Sequence, residues 1–581
     1  MGASPDQRAA PFDLRGRCRL ILPKEKPAER VIAGGHWRFL MPDTYESNTR
    51  ASQAAESWDF FDDPTPALGV PKSLPEILIE AGELPALATA GELALLRAGA
   101  PIFQRGGALV RPATFLVRAS GARTALAVGL RAITTTGMVD HLARAADWRR
   151  PSIKAPPSKP ADPPAAIANV ILSRAGEWHL KSLAGVITAP SLRADGLLLT
   201  APGYDNQSRL FLALPSTFKL PPIPERPTKD NAIAALRKLE GLLSNFPFVS
   251  DIDRSVALSL LMTPVLRPAM DAAPFHFAVA PTPGSGKSYL MDLASAIATG
   301  QICPVSNVSR NPEELEKNLT GLLIDGFPMI SLDNIAHEIG GSLLCQATER
   351  PMIRLRPLGT SQIATIENTT TIFGTGNNAV VRGDMIRRTL TCNLDAKVER
   401  PELRQFAFDP LKEILDNRAD FVAAILTIAR AYSVAGRPDQ PAAIASYAEW
   451  AALVRAPLIW LGEADPAAAM ENAREREPEL AELRATIAAW ADLPGARAGL
   501  TVREAITLAE ARAPTVMGEP TGPVWPELAE ALAGICEDRG GLNARRLGVW
   551  LRTHAGRIVA GKKFVPKSGH ADIARWAVTD A

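Results

Sequence analysis

Apolar and polar positions change period several times along the chain, and each change marks a different kind of element. Up to about residue 66 the sequence is polar and weakly periodic, with a short strand pattern at Arg19 to Leu22 and an acidic, aromatic patch from Trp58 to Asp63. Residues 73–100 carry two helix-like apolar patterns, and Gly106 to Ala132 alternates in strand-like runs, ALVRPATFLVRA and TALAVGLRAI. Residues 1–150 therefore read as a small mixed α+β region. The segment Pro151 to Pro164, PSIKAPPSKPADPP, reads as an extended linker, because proline fixes φ and removes a hydrogen-bond donor. Residues 165–228 turn β-rich, with an Asp195-Gly196 turn between apolar runs, and a second proline cluster from Pro215 to Pro227 closes that piece. Helical periodicity returns over 229–266. From Phe275 to about Asp395, apolar strand runs alternate with helices in the manner of a parallel α/β domain, so that 229–435 forms one block. A helical region, 436–512, and a loose stretch from Ala513 to Pro526 precede a C-terminal module at 527–581.

Composition narrows the class without naming a partner. With 46% hydrophobic and 22% charged residues, the 581-residue chain can bury sizeable cores and is neither disordered nor fibrous. Lysine and arginine total 64 against 62 acids, a net charge of +2, so any nucleic-acid surface has to be local. The cysteines, at 18, 303, 345, 392 and 536, form no C-x-x-C pair or cysteine-histidine cluster, which excludes a zinc ribbon and fits a reducing cytoplasm. No signal-peptide core and no apolar run of about 18 residues is present, so no membrane partner is expected.

The chemistry concentrates in FHFAVAPTPGSGKSYL. An apolar strand, Phe275 to Ala280, enters a glycine-rich turn that opens into an amphipathic helix, the context required of a loop that wraps phosphates. The nucleotide-binding stretch is Pro281, Thr282, Pro283, Gly284, Ser285, Gly286, Lys287, Ser288 and Tyr289. Gly284 and Gly286 let backbone N–H groups turn inward, Lys287 supplies a cation, and Ser288 supplies a hydroxyl for Mg²⁺. Pro281 departs from the G-x-x-x-x-G-K-[ST] pattern, which expects glycine there and so implies a stiffer entry. Downstream, Pro328 to Asp333 is an apolar strand ending in a carboxylate able to hold Mg²⁺ together with Ser288. Asn334 follows where an activating glutamate is common, leaving either Asn334 or Glu338 to orient water. A further strand, Thr369 to Gly374, ends in GTGNN, so that Asn377 or Asn378 can sense the terminal phosphate. GDMIRR then offers Arg387 and Arg388, the latter favoured, as a finger that completes a neighbouring subunit's site.

The ordered series GSGKS, LDN, GTGNN and GDMIRR resembles an AAA+-type ATPase, and more narrowly the superfamily 3 helicases of phage and mobile-element primase-helicases, over about residues 230–435. The resemblance implies a multidomain α/β chain around a P-loop core, ATP and Mg²⁺ as cofactors, and a homo-oligomeric ring, usually a hexamer, threaded on single-stranded or forked DNA. Other replication proteins are further partners it would imply. It also places a β-hairpin in the pore. PMIRLRPLGTSQIATIE reads as that hairpin, with Arg354 and Arg356 on one face toward DNA phosphates.

The last 55 residues read as two helices and a strand pair, the succession of a winged helix. No acid lies between Arg539 and Ala571, while Arg545, Arg546, Arg552, Lys562 and Lys563 supply a basic DNA-binding face. Trp550 and Trp576 are expected in its core. Priming is not assigned, because in residues 1–150 only Asp59, Asp62 and Asp63 lie near one another. Two competing readings are a DNA-bound ATPase switch or loader that does not unwind, and a non-catalytic initiator with a degenerate nucleotide site.

Overall fold

The computed structural model describes residues 74–581, apart from 155–156, 309–310, 337, 360–361, 476–477, 513–521, 539 and 568–573. The strand pattern at 19–22, the acidic patch at 58–63 and Arg539 therefore lie outside the described residues.

The N-terminal elements are β1 (Glu76–Leu78), α1 (Leu84–Arg97), β2 (Phe103–Arg105), β3 (Ala108–Arg118), β4 (Thr124–Ala132), α2 (Thr135–Ala145), β5 (Asp147–Pro151), β6 (Ser158–Pro160) and α3 (Ala165–Ser173). Of the two helices expected over 73–100, the first is a strand: Ile77 is buried between exposed Glu76 and Leu78, and it pairs with Trp148 of β5. The expected linker is also corrected. Pro151 ends β5, and Ser158 to Pro160 lie antiparallel to it, in the sheet order β1–β5–β6. Proline is tolerated there because an edge strand needs donors on one side only. Ile167, Ala168 and Ile171 of α3 share a core with Leu95, Leu142 and Trp148, so the boundary expected near 164 cuts through a packed unit.

Five short strands follow: β7 (Gly185–Ile187), β8 (Ser191–Leu192), β9 (Leu198–Leu199), β10 (Gly203–Tyr204) and β11 (Leu210–Leu212). The Asp195-Gly196 turn joins β8 to β9, with Gly196 at φ 82° and the Asp195 carboxylate accepting from Leu197 N. The proline cluster 215–227 is irregular, as expected, yet it is strapped down. Phe218, Leu220 and Ile223 pack on the large core, and the Arg418 guanidinium lies over the Phe218 ring.

The central block begins with α4 (Lys229–Leu243) and α5 (Asp251–Leu266), and continues through β12 (Phe275–Ala280), α6 (Lys287–Thr299), β13 (Val305–Asn307), α7 (Pro312–Ile324), β14 (Met329–Ile335), β15 (Glu338–Ile339), α8 (Ser342–Glu349), β16 (Met352–Leu355), β17 (Ala364–Glu367), β18 (Thr371–Asn377), β19 (Val380–Val381) and β20 (Thr389–Asn393). The helices α9 (Pro410–Asp416) and α10 (Arg418–Val434) close it. Five strands form an entirely parallel sheet in the order β13–β14–β18–β12–β20. Every residue of β12 is buried, which is why it reads as a continuous apolar run rather than an alternation. Phe275, Phe277 and Val279 enter the core beneath α7 and α8, while Ala278 and Ala280 enter the core of α4, α5, α6 and α10. An α/β sandwich with β12 as an interior strand, between β18 and β20, is the result.

His276 sits within β12, fully buried, with Nε2 at 2.9 Å from the Ser259 hydroxyl. Burial pushes its pKa down to about 3, so the native state refuses a proton that the unfolded chain accepts near pH 6.5. Native stability should therefore fall as pH drops from about 6.5 toward 3, by a few kcal/mol in total. Urea midpoints across that range check this. A His276→Leu variant should flatten this contribution, and an unchanged pH slope would remove His276 as its source.

The helix α11 (Ala468–Glu475) still belongs to the central block, whose core Ala469 and Met470 join. The C-terminal module comprises α12 (Pro478–Ala491), β21 (Leu500–Thr501), α13 (Val502–Glu510), α14 (Pro526–Cys536), β22 (Glu537–Asp538), β23 (Gly541–Leu542), α15 (Ala544–His554), β24 (Lys562–Lys567) and β25 (Arg575–Asp580). An antiparallel sheet runs β21–β25–β24. Leu483 and Trp490 of α12 and Ala505 of α13 share one core with Leu532, Leu551, Phe564 and Trp576. The compact unit thus starts near 478, and the boundary expected at 527 falls inside it. Trp576 is in that core as expected, and the half-buried Trp550 packs its ring against His554 and Phe564.

Candidate nucleotide site

The loop between β12 and α6 takes left-handed conformations at Gly284 (φ 75°) and Gly286 (φ 95°) and at no other loop residue. Only glycine adopts these readily. A Cβ on Gly284 would also lie 3.0 Å from the Glu402 Cβ and 3.1 Å from its main-chain nitrogen, so the residue is constrained twice. The stiffness that Pro281 introduces has no backbone conflict, because the loop requires positive φ only further on. Gly286 starts α6 with no side-chain cap, leaving first-turn N–H groups for an anion.

Within this cradle Lys287 is nearly buried, and its Nζ donates to the Thr282 carbonyl at 3.1 Å. Burial lowers its pKa, and the Asp333 carboxylate partly offsets that. Ser285 Oγ donates to the same carbonyl at 2.8 Å, holding the turn closed. Tyr289 is engaged elsewhere: its hydroxyl donates to Asp409 at 2.6 Å at the start of α9, and its ring stacks on Phe246. It ties α6 to α9 and makes no contact with the loop's polar atoms.

Opposite the loop, β14 and β18 pair residue for residue until Leu332 and Gly374, and again at Ile335 and Gly376. Between them Asp333 and Asn334 face the single residue Thr375, which is a β-bulge. Asn334 occupies the extra position at φ 58°. The Thr375 hydroxyl donates to Asp333 Oδ1 and accepts from Asn334 N at 3.2 Å, while Ser288 Oγ donates to Asp333 Oδ1 at 3.1 Å. The bulge thereby brings the strand-end carboxylate onto the loop's serine. Thr375 was not anticipated from sequence, since it reads as one more residue of a buried strand.

Asn377 ends β18 in register with Ala280, the last residue before the loop, and its Oδ1 is buried with no protein partner. Asn378 is instead committed to the loop: its backbone N–H donates to the Ala280 carbonyl at 3.2 Å and its amide to the Pro281 carbonyl at 3.4 Å. Between the two candidate sensors, Asn377 is the one whose acceptor oxygen is buried without a partner, while Asn378 spends its donors on the loop. Glu338 pairs with Arg382 at 2.9 Å and is not hydrogen-bonded to the cluster. Among the described residues Asp333 is the sole carboxylate hydrogen-bonded to it.

A Mg²⁺–ATP complex fits these donors. The uncapped helix, the two left-handed glycines and Lys287 suit a polyphosphate, and the orphaned Asn377 oxygen suits a water. Among the described residues no group of three or more histidine, cysteine, aspartate or glutamate side chains could hold a metal by itself. The ion would therefore rest on Ser288, Asp333 and nucleotide oxygens. A cavity of about 640 Å³ opens beside the loop but touches it only at Pro281, so it is not the phosphate site.

The bond to Asp333 makes Thr375 a positioning residue. Thr375→Val should lower ATP turnover and apparent Mg²⁺ affinity by about 10- to 100-fold, and Thr375→Ser should restore most of both. Mg²⁺ titrations of hydrolysis measure this, and a valine variant with native Mg²⁺ dependence would remove the role.

The paired arginines differ in burial, and the one favoured from sequence, Arg388, is the covered one. Arg388 is 3% exposed, its guanidinium bound to Glu349 and Asp384. Such a side chain cannot reach a neighbouring subunit without breaking both pairs. Arg387 is exposed, pairing with Asp384 at 2.6 Å and with Glu349 at 3.5 Å.

β16 and β17 form the expected hairpin, with Ile353 and Leu355 buried and Arg354 and Arg356 exposed on the other face. In the C-terminal module, Arg545, Arg546 and Arg552 are exposed on α15, opposite buried Leu547, Leu551 and His554. Arg546 also donates to the Glu537 carbonyl at 2.9 Å. Lys562 and Lys563 are half-buried on β24, and Lys562 lies opposite Asp580.

No protein-family model and no curated protein sequence matches the chain. Among solved structures it is similar to the apo C-terminal region of NrS-1, with 12% identity over 72% of this chain and 91% of that one, at a TM-score of 0.33. A second is "SCCmec type IV Cch - active helicase", with 13% identity over 83% and 97% and a TM-score of 0.31. A JCV helicase structure matches 43% of this chain and 74% of its own at 14% identity and a TM-score of 0.19. At these scores the likenesses carry no argument; the reading of the site rests on its own geometry. No helix among the described residues is long and apolar enough to cross a membrane.

Proposed function

We propose that this chain is an ATP-driven DNA helicase or translocase, the replicative helicase of a phage or integrated mobile element. In this reading it acts in the cytoplasm as a homo-oligomeric ring, with ATP between subunits. The observation that carries the ATPase part is the junction of Ser288, Asp333, Thr375 and Asn377 at the carboxyl edge of a parallel sheet, beside a loop with two left-handed glycines. Bound Mg²⁺–ATP would supply the transferable phosphoryl group and the charge that neutralises it. The chain's own residues do the positioning. Loop N–H groups and Lys287 bind phosphate oxygens, Ser288 and Asp333 orient the metal, and the Asn377 oxygen accepts a hydrogen bond from water.

The DNA part is supported by the exposed Arg354 and Arg356 and by the C-terminal module. Its helices and β21–β25–β24 sheet are read here as a winged helix, with Arg545, Arg546, Arg552, Lys562 and Lys563 toward DNA. The ring is supported by exposed Arg387, which we assign as the residue that completes a neighbour's site, with Arg388 as its support. Hydrolysis with and without single-stranded DNA, together with unwinding of a forked duplex, tests the reading. DNA-stimulated hydrolysis without unwinding would favour a switch or loader, and no hydrolysis would leave a non-catalytic initiator.

A further inference from the structure

The β5–β6 hairpin carries unneutralised charge that the nucleotide site does not use. Its register places Arg150 directly opposite Lys159, both exposed. Like charges facing each other across a strand pair destabilise it. Neither side chain has a hydrogen-bond or ion-pair partner among the described residues. Arg149 shows the contrast, since it is held by Asp147 at 2.9 Å and reaches Glu76 at 4.0 Å. In the connecting loop Lys154 is exposed next to Ile153, which is fully exposed. From Trp148 to Ala161 the sequence contains no acid. Pro160 lies on β6, an edge strand of the sheet, and a proline there opposes extension by another chain's strand. The exposed property of this hairpin is therefore its charge.

We propose that the β5–β6 hairpin is a second nucleic-acid contact, in which Arg150, Lys154 and Lys159 bind backbone phosphates. A polyanion attracts both members of the cross-strand pair and so offsets their mutual repulsion, and it needs no base-specific partner. The proposal rests on the DNA-motor reading and adds a contact separate from both the central hairpin and the C-terminal module.

Binding of the full chain to a fluorescent forked oligonucleotide, measured as a function of salt, tests it. The Arg150→Gln/Lys154→Gln/Lys159→Gln variant should bind more weakly, and its slope of log affinity against log salt should be shallower by about 2 to 3, at roughly 0.7 to 0.9 for each phosphate that is no longer neutralised. Its thermal midpoint should be no lower than that of the native chain, because a repulsion has been removed. A variant that binds with the native slope overturns the hairpin contact while leaving the motor reading standing. A native chain that binds no DNA at any salt overturns both. An Arg545→Gln/Arg546→Gln variant, predicted to lose slope through the C-terminal module, shows that the assay can detect such losses.

Discussion

Replacing Lys287 with alanine is expected to reduce ATP hydrolysis by at least about 10²-fold while leaving the fold as stable as the native chain or more so. The two parts follow from one geometry. Nζ is nearly buried and bonded only to the Thr282 carbonyl, so without a nucleotide the ammonium pays desolvation for a single neutral hydrogen bond. The lowered pKa is the signature of that cost. Between the lowered native pKa and the unfolded value near 10.5, the unfolded chain binds more protons, so native stability should rise with pH there. The alanine variant should lose that contribution. Steady-state hydrolysis and thermal midpoints at several alkaline pH values check both. A variant that loses activity together with cooperative unfolding would make Lys287 a structural residue and sink the phosphate assignment.

The second large effect separates the two arginines. Arg388→Ala should destabilise the protein by about 2 to 3 kcal/mol, and Arg387→Ala by less than about 1. Removing Arg388 deprives Glu349 and Asp384 of a buried guanidinium. The loss falls short of a fully buried pair because Asp384 is exposed and Glu349 keeps the Ser446 hydroxyl at 2.6 Å. Glu349 also ends α8, directly before the β16–β17 hairpin, so its support matters for placing that hairpin. Arg387→Ala should fold normally and hydrolyse ATP poorly. Mixing it with Lys287→Ala subunits should restore part of the activity, because mixed junctions of one orientation pair the intact loop of an Arg387→Ala subunit with the intact finger of a Lys287→Ala subunit. No recovery on mixing would count against Arg387 acting in trans, and an Arg388→Ala chain of native stability would overturn its supporting role.

Several features were legible because short-range rules determine them. The glycines at 284 and 286 are demanded by backbone sterics, and the six buried residues of β12 read directly as a fully covered parallel strand. The Asp195-Gly196 turn and the β16–β17 hairpin likewise follow from turn chemistry and alternation. Boundaries were less legible. Proline density suggested a joint at 151–164, but proline is also what an edge strand tolerates: β6 pairs with β5, and β5 is itself held in the sheet by β1, far away in the sequence. The C-terminal boundary was misplaced for a similar reason: α12 has ordinary helical periodicity, and only packing against Leu551 and Phe564 assigns it to that core.

The sequence by itself determined the glycine-turned loop after β12, the strand-end carboxylate and the order of the elements that carry them, since each depends on residue type and near-neighbour spacing. Tertiary structure alone decided which of two similar residues does which work. The bulge at Asp333–Asn334 recruited Thr375, pairing with β12 distinguished Asn377 from Asn378, and burial against Glu349 turned Arg388 inward while leaving Arg387 exposed. These choices depend on contacts between residues far apart in the chain, where adjacent side chains of one chemical type become unequal only once one of them is covered.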